Sequence, residues 1–249
     1  WKDATGNLPT TVTGAVGWTR AKGGTLLALT GEPTFGSSAY TGLGAYWSGN
    51  LGKSWKRSKG VPAGALGFAI AVDPKSPKKV YAATQYGLFV STNAGRSYKN
   101  AKLPTGPCAG VTNMSKKPQC ALASVVTDVV VVEPGGVNTE TKAGTVVATV
   151  GWRGGQRTNP DGTVQSPNNG IYRSGNGKPG SFEKLETTGF AAQDAIGRTE
   201  LGHAVGPEQD HDFLYAIVQD ANLLNNGGLL GIDAPEGFSS PLGSTVLNG

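Results

Sequence analysis

Short apolar runs alternate with Gly-, Pro- and Asn-rich connections along most of the chain. The clearest set is Gly67–Asp73, Val80–Thr84 and Leu88–Ser91, and a polar turn then leads into a further strand that begins at Ser97-Tyr98. Short runs rich in Val, Ala and Tyr between turn residues are typical of antiparallel strands. Runs of Leu, Glu and Lys at helical spacing are missing. The pattern therefore predicts an all-β protein.

One short phrase occurs three times, each time after an apolar strand. It reads SGNLGKSW at Ser48–Trp55 and STNAGRSY at Ser91–Tyr98, with a looser copy, SGNGKPGSF, at Ser174–Phe182. The first two copies begin 43 residues apart. A period of roughly 20–50 residues is typical of a fold built from repeated supersecondary units.

The residues of the phrase predict a tight turn that is anchored to the core. Asn50 and Asn93 can bond neighbouring backbone amides and tolerate a left-handed conformation, while Gly52 and Gly95 can supply a positive φ. The serines are expected to tie the ends of the hairpin together. The aromatic residue that ends each copy is expected to pack back between sheets.

These turns resemble those of the Asp-box (BNR-repeat) β-propellers, nearest to the xyloglucanase-type and sialidase-like secreted members. The family phrase is Ser-x-Asp-x-Gly-x-Thr-Trp, so here Asn replaces Asp and Ser replaces Thr. Asn keeps the oxygen that accepts the hydrogen bonds, and the third copy is one residue longer. The resemblance implies four-stranded antiparallel blades with the first strand innermost. It transfers no catalytic residue, because the repeated turn is structural.

The repeat divides the chain into about three complete blades, with partial blades at both ends. The predicted ranges are a partial outer strand at 1–9, complete blades at 12–60, 61–105 and 121–190, and a partial blade at 191–249. Two arrangements fit these ranges. In one, the chain is part of a larger propeller that another chain or chain segment completes. In the other, four blades close when Trp1–Asp3 joins the last blade. We favour the larger propeller, because Asp-box relatives usually carry more blades.

Composition excludes several classes of protein. The chain has 249 residues, enough for a sizeable core. Its formal charge is +5, from 22 Lys and Arg against 17 Asp and Glu. The positive residues are scattered, which favours a solvated surface over a nucleic-acid groove. No stretch of about 18 apolar residues predicts a membrane span. No signal-peptide pattern opens the chain, so a targeting sequence is expected to have been removed or to lie upstream.

The two cysteines predict a secreted protein. Cys108 and Cys120 enclose one loop, and with two distant histidines they do not form a plausible zinc site. A disulfide is the better interpretation, and it implies an oxidising compartment. Asn113 begins an N-glycosylation sequon inside this loop. We therefore expect a secreted or surface-exposed protein, and no cofactor or metal is predicted.

The long irregular segments are predicted to gather at one end of the propeller. They are 31–43, 102–123, 153–169 and 220–248, whereas the short repeated turns occupy the opposite end. Loops on a rigid scaffold commonly carry binding residues. The substrate-binding candidates are Glu32, Tyr40, Trp152, Arg153, Arg157 and Arg198, with Phe35 and Asp161 in the same loops.

Asp128 and Glu200 are the candidate catalytic pair. Each lies near the start of an innermost strand, so both are expected to face one pocket near the axis. Glycosidic cleavage needs one protonated carboxyl and one carboxylate that acts as base or nucleophile. A structural interpretation competes, in which both carboxylates bond neighbouring amides. Trp152 would then pack beneath its loop, and Arg198 would pair with a neighbouring blade.

Two functions remain open from the sequence. The first is an extracellular propeller that binds a polysaccharide or glycan and, as a glycoside hydrolase, cleaves it. The second is a non-catalytic interaction module, such as a receptor, adhesin or scaffold subunit, that grips a protein through the same loops. Carboxylates about 5–9.5 Å apart in an open cleft would favour the hydrolase. A flat surface filled by the loops would favour the interaction module.

Overall fold

The computed structural model describes residues 3–34, 40–113, 115–137, 140–152, 168–188 and 196–220. These residues form fourteen β-strands and three short 3-10 helices, with no α-helix among them. None of the described helices is long and apolar enough to cross a membrane. The predicted all-β class is confirmed.

Three antiparallel sheets contain four consecutive strands each. The first sheet consists of β1 (Thr13–Thr19), β2 (Thr25–Thr30), β3 (Ala45–Ser48) and β4 (Lys56–Arg57). The second consists of β5 (Gly67–Val72), β6 (Val80–Thr84), β7 (Gly87–Ser91) and β8 (Lys99–Asn100). The third consists of β9 (Val126–Val131), β10 (Val146–Val150), β11 (Gly170–Ser174) and β12 (Glu183–Lys184). The fourth sheet pairs β13 (Ile196–His203) with β14 (Leu214–Asp220).

The sheets stack as the blades of a propeller. The first strands of successive sheets contact one another in chain order, β1 with β5, β5 with β9, and β9 with β13. These strands are therefore innermost, and each sheet extends outward from them in sequence order. The predicted architecture of four-stranded antiparallel blades is confirmed. Each complete sheet falls inside one of the predicted ranges 12–60, 61–105 and 121–190, and these bounds remain a prediction.

Apolar side chains fill the spaces between the sheets. Tyr81 and Val146 are fully buried between the second and third sheets. Leu27, Leu29 and Phe89 form a second cluster between the first and second sheets. Successive residues of a strand point to opposite faces of its sheet, so each central strand contributes to two interfaces. This packing holds the inner strands beside one another.

The first two repeated turns have the same hydrogen bonds. In the second turn, the Asn93 Oδ1 atom accepts the Ser97 amide at 2.9 Å and the Ser91 hydroxyl at 2.9 Å. The Gly95 amide donates to Ser91 Oγ at 3.0 Å. Residues 48–55 repeat this pattern with distances within 0.1 Å. The Asn side chain thus closes the turn, as its chemistry predicts.

Each of the first two turns contains a second left-handed residue beside its glycine. Leu51 (φ 58°) and Ala94 (φ 59°) adopt positive φ immediately before Gly52 and Gly95. Asn50 and Asn93 do not adopt positive φ. The chain reverses after the asparagine, and in this arrangement the asparagine side-chain oxygen accepts the amide of the serine four residues later. The asparagines therefore do not use the left-handed conformation that they can tolerate, whereas the positive φ of the two glycines is as expected.

The third turn reaches a similar closure by a different spacing. Gly177, rather than Gly180, donates its amide to Ser174 Oγ, at 2.9 Å. The Ser181 hydroxyl donates to Asn176 Oδ1, also at 2.9 Å. The closing amide has a different partner, because the Ser181 amide donates to the Lys178 carbonyl and Asn176 Oδ1 accepts the Lys178 amide instead.

Asn93→Ala is expected to lower the free energy of unfolding by about 1–3 kcal/mol, because the Ser97 amide and the Ser91 hydroxyl lose their acceptor. Asn93→Asp keeps the accepting oxygen and is expected to retain most of the stability. Urea unfolding followed by tryptophan fluorescence measures both variants. Equal losses in the two variants would contradict the assigned role of the oxygen.

A disulfide cross-links the loop that connects the second and third sheets. Cys108 and Cys120 are bonded, with an Sγ–Sγ distance of 2.13 Å, as predicted. The hydroxyls of Thr105 and Ser124 share a hydrogen bond of 2.8 Å at the base of the same loop. Asn113 is exposed, so its side chain is accessible to a glycan. Glycosylation and secretion remain predictions.

Candidate functional site

The strand order places two kinds of connection at one end of the propeller, here called the rim. The connections that enter the innermost strands lie there, together with those between the second and third strands of each sheet. The rim therefore carries residues 31–44, 101–125 and 151–169, as far as the structure describes them. The three repeated turns lie at the opposite end. These three loops lie apart from the repeated turns, as predicted, whereas two further long connections, 132–145 and 204–213, lie at the same end as the turns, and residues 221–248 of the fourth predicted segment lie outside the described residues.

Arg198 links three sheets at the rim. It lies in a bulge at the start of β13, where the register shifts between Ile196 and Thr199. Such a bulge re-aims a side chain out of the regular ladder. The guanidinium contacts the Pro33 carbonyl of the first sheet, with Nη1 at 3.5 Å, and its Cζ lies 6.0 Å from the centre of the Phe68 ring of the second sheet. Residues distant in sequence thus meet near the axis.

Glu200 forms an exposed ion pair with Arg198. Its Oε1 atom accepts Nε at 2.8 Å and lies 2.7 Å from Nη2. The side chains of Arg198 and Glu200 are 37% and 52% exposed. An ion pair this exposed contributes only about 0–1 kcal/mol, because water screens it and both long side chains lose freedom. A polar ligand can therefore replace either partner at little cost.

Asp128 is half-buried beside this pair. Its Oδ1 accepts the Val129 amide at 2.7 Å, and its Oδ2 accepts the Leu201 amide at 2.7 Å. Burial raises the pKa of Asp128, and the nearby charge of Glu200 adds to the rise, against the opposing effects of the two amides and Arg198. The two predicted carboxyls are therefore electrostatically coupled, and Asp128 holds its proton more readily than an ordinary aspartate.

Glu32 and Tyr40 lie in the rim loop of the first sheet. The Glu32 amide donates to the Tyr40 carbonyl at 2.9 Å, and Glu32 Oε1 accepts the Thr34 hydroxyl at 2.7 Å. The Tyr40 ring is 68% exposed. Because Pro33 of the same loop contacts Arg198, these residues belong to the same surface as the ion pair.

The remaining candidates differ in position. Trp152 is only 8% exposed and packs in the core between the second and third sheets. Its predicted role in substrate binding would require the ring to be uncovered. The candidates that lie outside the described residues are Phe35, Arg153, Arg157 and Asp161.

The stability contributions of Asp128 and Asp212 are expected to depend on pH in opposite directions. The pKa of Asp128 is raised above its ordinary 3.8, so its contribution is complete below that pH and is lost as the pH rises through the raised value. The pKa of Asp212 is lowered, mainly by the hydrogen bond from the Glu140 amide, so its contribution is lost as the pH falls.

Urea unfolding across a pH series, with Asp128→Asn and Asp212→Asn as references that do not titrate there, measures both effects. The difference in free energy of unfolding between the wild type and Asp128→Asn is expected to decrease as the pH rises above about 4. The difference between the wild type and Asp212→Asn is expected to decrease as the pH falls below about 4. Parallel pH dependences for the two variants would contradict the assignment.

A second polar cluster, at the opposite end, was not predicted as a site. His203 and His211 lie with ring centres 5.7 Å apart, beside a cavity of about 160 Å³ that Arg173 and Asp212 also line. His211 is 2% exposed, and both of its ring nitrogens contact carbonyl oxygens, those of Glu133 and Gly206. These contacts tie two long loops together. Among the described residues, no group of three or more potential ligands is suited to a metal ion.

The chain matches no known family model and no curated protein. Among solved structures it is similar to an ancestral GH74 enzyme, at 14% identity and a TM-score of 0.47 over 76% of this chain and 22% of that chain. It is similar to the GH74 enzyme of Niastella koreensis, at 21% identity and a TM-score of 0.28 over 69% of this chain and 25% of that chain.

A further similarity is to the GH74 xyloglucanase from Xanthomonas campestris, at 15% identity and a TM-score of 0.27 over 70% of this chain and 24% of that chain. The chain thus spans about a quarter or less of the length of each of these solved structures.

Proposed function

We propose that the protein is an extracellular Asp-box β-propeller that binds a polysaccharide at its rim. The observation that carries the proposal is the position of Arg198, which joins the charged residues of the fourth sheet to the exposed loop of the first. The Asp-box assignment is supported by the shared hydrogen bonds of the first two turns, with Asn50 and Asn93 at the Asp position. The disulfide supports an extracellular location.

The chemistry of the rim suits a sugar chain. The Tyr40 ring offers an exposed apolar face with a polar edge, which fits the mixed character of a sugar ring. Glu200 accepts hydrogen bonds from hydroxyls, and Arg198 donates several in one plane. Within the described residues, Glu200 Oε2 receives no hydrogen bond, so one oxygen is available to a ligand. The exposed Arg198–Glu200 ion pair therefore offers both a donor and an acceptor, and a ligand can separate the two side chains at a small cost in free energy.

Binding to xyloglucan, mixed-linkage glucan and pectin in affinity gels tests this proposal. Glu200→Gln, Arg198→Met and Tyr40→Ala are each expected to weaken binding of the recognised polysaccharide by about tenfold or more, which corresponds to about 1.4 kcal/mol. Lys178→Ala is the matched control, because Lys178 is exposed in the turn at the opposite end. Binding unchanged by all three rim variants, or lost in the control, would contradict the proposal.

A catalytic version of this function is supported by the raised pKa of Asp128 beside Glu200. Hydrolysis needs one carboxyl that keeps its proton and a second carboxylate, and Asp128, whose pKa burial raises, suits the first of these roles. Asp128 would then act as the acid and Glu200 as the base or nucleophile. Release of reducing ends from the bound polysaccharide tests this role, and Asp128→Asn is expected to lower the rate by about a hundredfold or more.

Absence of released sugar from a polysaccharide that binds would leave a non-catalytic binding module. If no polysaccharide binds, the interaction module that grips a protein becomes the better account of the rim. We further propose that a second chain or chain segment completes the propeller, because apolar side chains remain exposed on the outer faces of the first and fourth sheets.

A further inference from the structure

Positive side chains that are dispersed in the sequence meet at the end of the first two sheets that lies opposite the rim. Residues 1–120 contain 15 Lys and Arg against three Asp and Glu, whereas residues 121–249 contain seven against 14. In the first two sheets, the connections from the first strand to the second are 20–24 and 73–79. They hold five positive residues, here called the basic surface: Arg20, Lys22, Lys75, Lys78 and Lys79.

Hydrogen bonds hold these connections side by side. Arg20 Nη2 donates to the Pro74 carbonyl at 3.0 Å, which joins the connection of the first sheet to that of the second. The Ala94 amide of the second repeated turn donates to the Lys78 carbonyl at 2.8 Å. The positive residues therefore belong to one continuous surface, although more than 50 positions separate Arg20 from Lys75 in the sequence.

Acidic side chains do not neutralise the basic surface. The one acid in the two connections is Asp73, which is 2% exposed and whose Oδ2 atom lies 3.4 Å from Lys79 Nζ. The other four positive side chains are exposed, and within the described residues none of them pairs with a carboxylate. Four positive charges are therefore available to a partner in solution.

The positive charge is confined to the first two sheets. The equivalent connections of the third and fourth sheets, 132–145 and 204–213, carry five Asp and Glu against one Lys. The basic surface is therefore a local feature and not a consequence of the formal charge of +5. A region that is lined by charges of one sign attracts a partner of the opposite sign.

We propose that the basic surface binds an acidic polysaccharide, a polymer that carries carboxylate or sulfate groups along its length. Three of the four available charges are lysines, and a Lys ammonium is a flexible point charge with three donors that pairs with anions in many directions. Such charges suit a flexible polymer whose anionic groups recur without one fixed geometry. This site lies at the end opposite the rim and does not rest on the function proposed for the rim.

The basic surface fits a sugar polymer better than a nucleic acid or a membrane. Proteins that bind single-stranded nucleic acid without sequence preference stack the bases on aromatic rings, and neither connection contains an aromatic residue. The ring of nearby Trp47 is stacked against Arg96, whose Cζ lies 4.2 Å from the ring centre. Helices that bind membrane surfaces bury apolar side chains in the bilayer. Among the described residues, none of the exposed large apolar side chains lies in 20–24 or 73–79.

Affinity measurements with alginate and dextran sulfate, and with uncharged dextran as the reference polymer, test the proposal. The chain is expected to bind at least one of the acidic polymers and not dextran. The association constant is expected to fall steeply between about 50 and about 500 mM NaCl, because salt screens exposed charges. The triple variant Lys22→Gln/Lys75→Gln/Lys78→Gln is expected to weaken binding by about tenfold or more. Lys79 is left unchanged because it pairs with Asp73.

The triple variant Lys99→Gln/Lys116→Gln/Lys117→Gln is the matched control. It changes the net charge by the same amount, and its three lysines are exposed in β8 and in the disulfide loop, outside the basic surface. This variant is expected to bind the acidic polymer much as the wild type does. Equal weakening in the two triple variants, or no binding of either acidic polymer, would overturn the proposal. Tighter binding of duplex DNA or of phosphatidylserine vesicles than of both acidic polymers would also overturn it.

Binding of xyloglucan, which tests the rim, separates the two proposals on the same samples. Loss of alginate or dextran sulfate binding in Tyr40→Ala would place that binding at the rim and overturn the basic surface as its site. A chain that binds xyloglucan but no acidic polymer overturns the present inference and leaves the proposed function in place. A chain that binds an acidic polymer through Lys22, Lys75 and Lys78, but no polysaccharide through the rim residues, supports this inference and removes the proposed function.

Discussion

Replacing Tyr81 by alanine is expected to lower the free energy of unfolding by about 3–5 kcal/mol. Tyr81 of β6 is completely buried on the side of the second sheet that packs on the third, where its ring lies in the cluster that contains Val126 and Val146. Loss of the ring leaves a cavity between two blades that the surrounding strands cannot collapse to fill. Urea unfolding measures the loss.

Tyr81→Phe is the matched control. It removes only the hydroxyl, which donates to the Gly177 carbonyl over a long 3.5 Å. A bond of this length is weak, so the expected loss is about 1 kcal/mol or less. A loss below about 1 kcal/mol for the alanine variant would mean that the second and third blades do not pack as described.

Gly14→Ala is expected to destabilise the protein by about 1–3 kcal/mol or more, through direct overlap of the innermost strands. A Cβ atom at this position would lie 1.9 Å from the Gly67 carbonyl oxygen of β5 and 2.7 Å from that of Gly31. These are backbone atoms and cannot rotate aside. The inner strands of the first and second sheets must therefore separate to admit the methyl group. Thermal and urea unfolding measure the effect.

Gly175→Ala controls for the general cost of replacing a glycine. A Cβ atom there meets no other atom within 4 Å, and the residue does not need a positive φ. Its expected effect is within about 0.5 kcal/mol, as for most exposed substitutions. Similar stabilities of the Gly14 and Gly175 variants would refute the close approach of β1 and β5.

Much of the blade architecture follows from local sequence signals. The continuous apolar run of Val80–Thr84 and the repeated Ser, Asn and Gly of the turns are short-range features, so strand positions could be predicted within a few residues. The outer strand of the second sheet starts at Lys99, two residues later than the expected Ser97, and the outer strand of the first sheet starts at the equivalent Lys56. The reason is that the amides of Ser54 and Ser97 bond the asparagine of the turn instead of a neighbouring strand.

The candidate site was predictable only in part. The convergence of Asp128, Arg198 and Glu200 follows from their places on innermost strands. The reach of Arg198 to Pro33 depends on a bulge and on how a loop folds over the axis, which no local pattern reveals.

Two other positions differ in what the sequence could reveal. The burial of Trp152 could have been inferred, because it continues the alternation of Val146 and Val150 toward the second sheet. The pairing of His203 with His211 depends on contacts between two long loops, and no spacing in the sequence indicates it.

Hydrogen exchange of the amides, with and without a bound oligosaccharide, tests most directly whether the inner-strand ends form the binding surface. Slower exchange is expected at Glu32, Arg198 and Leu201, with no change in the turns at Ser48–Trp55 and Ser91–Tyr98. Protection confined to those turns, or to the cavity beside His203 and His211, would contradict the account.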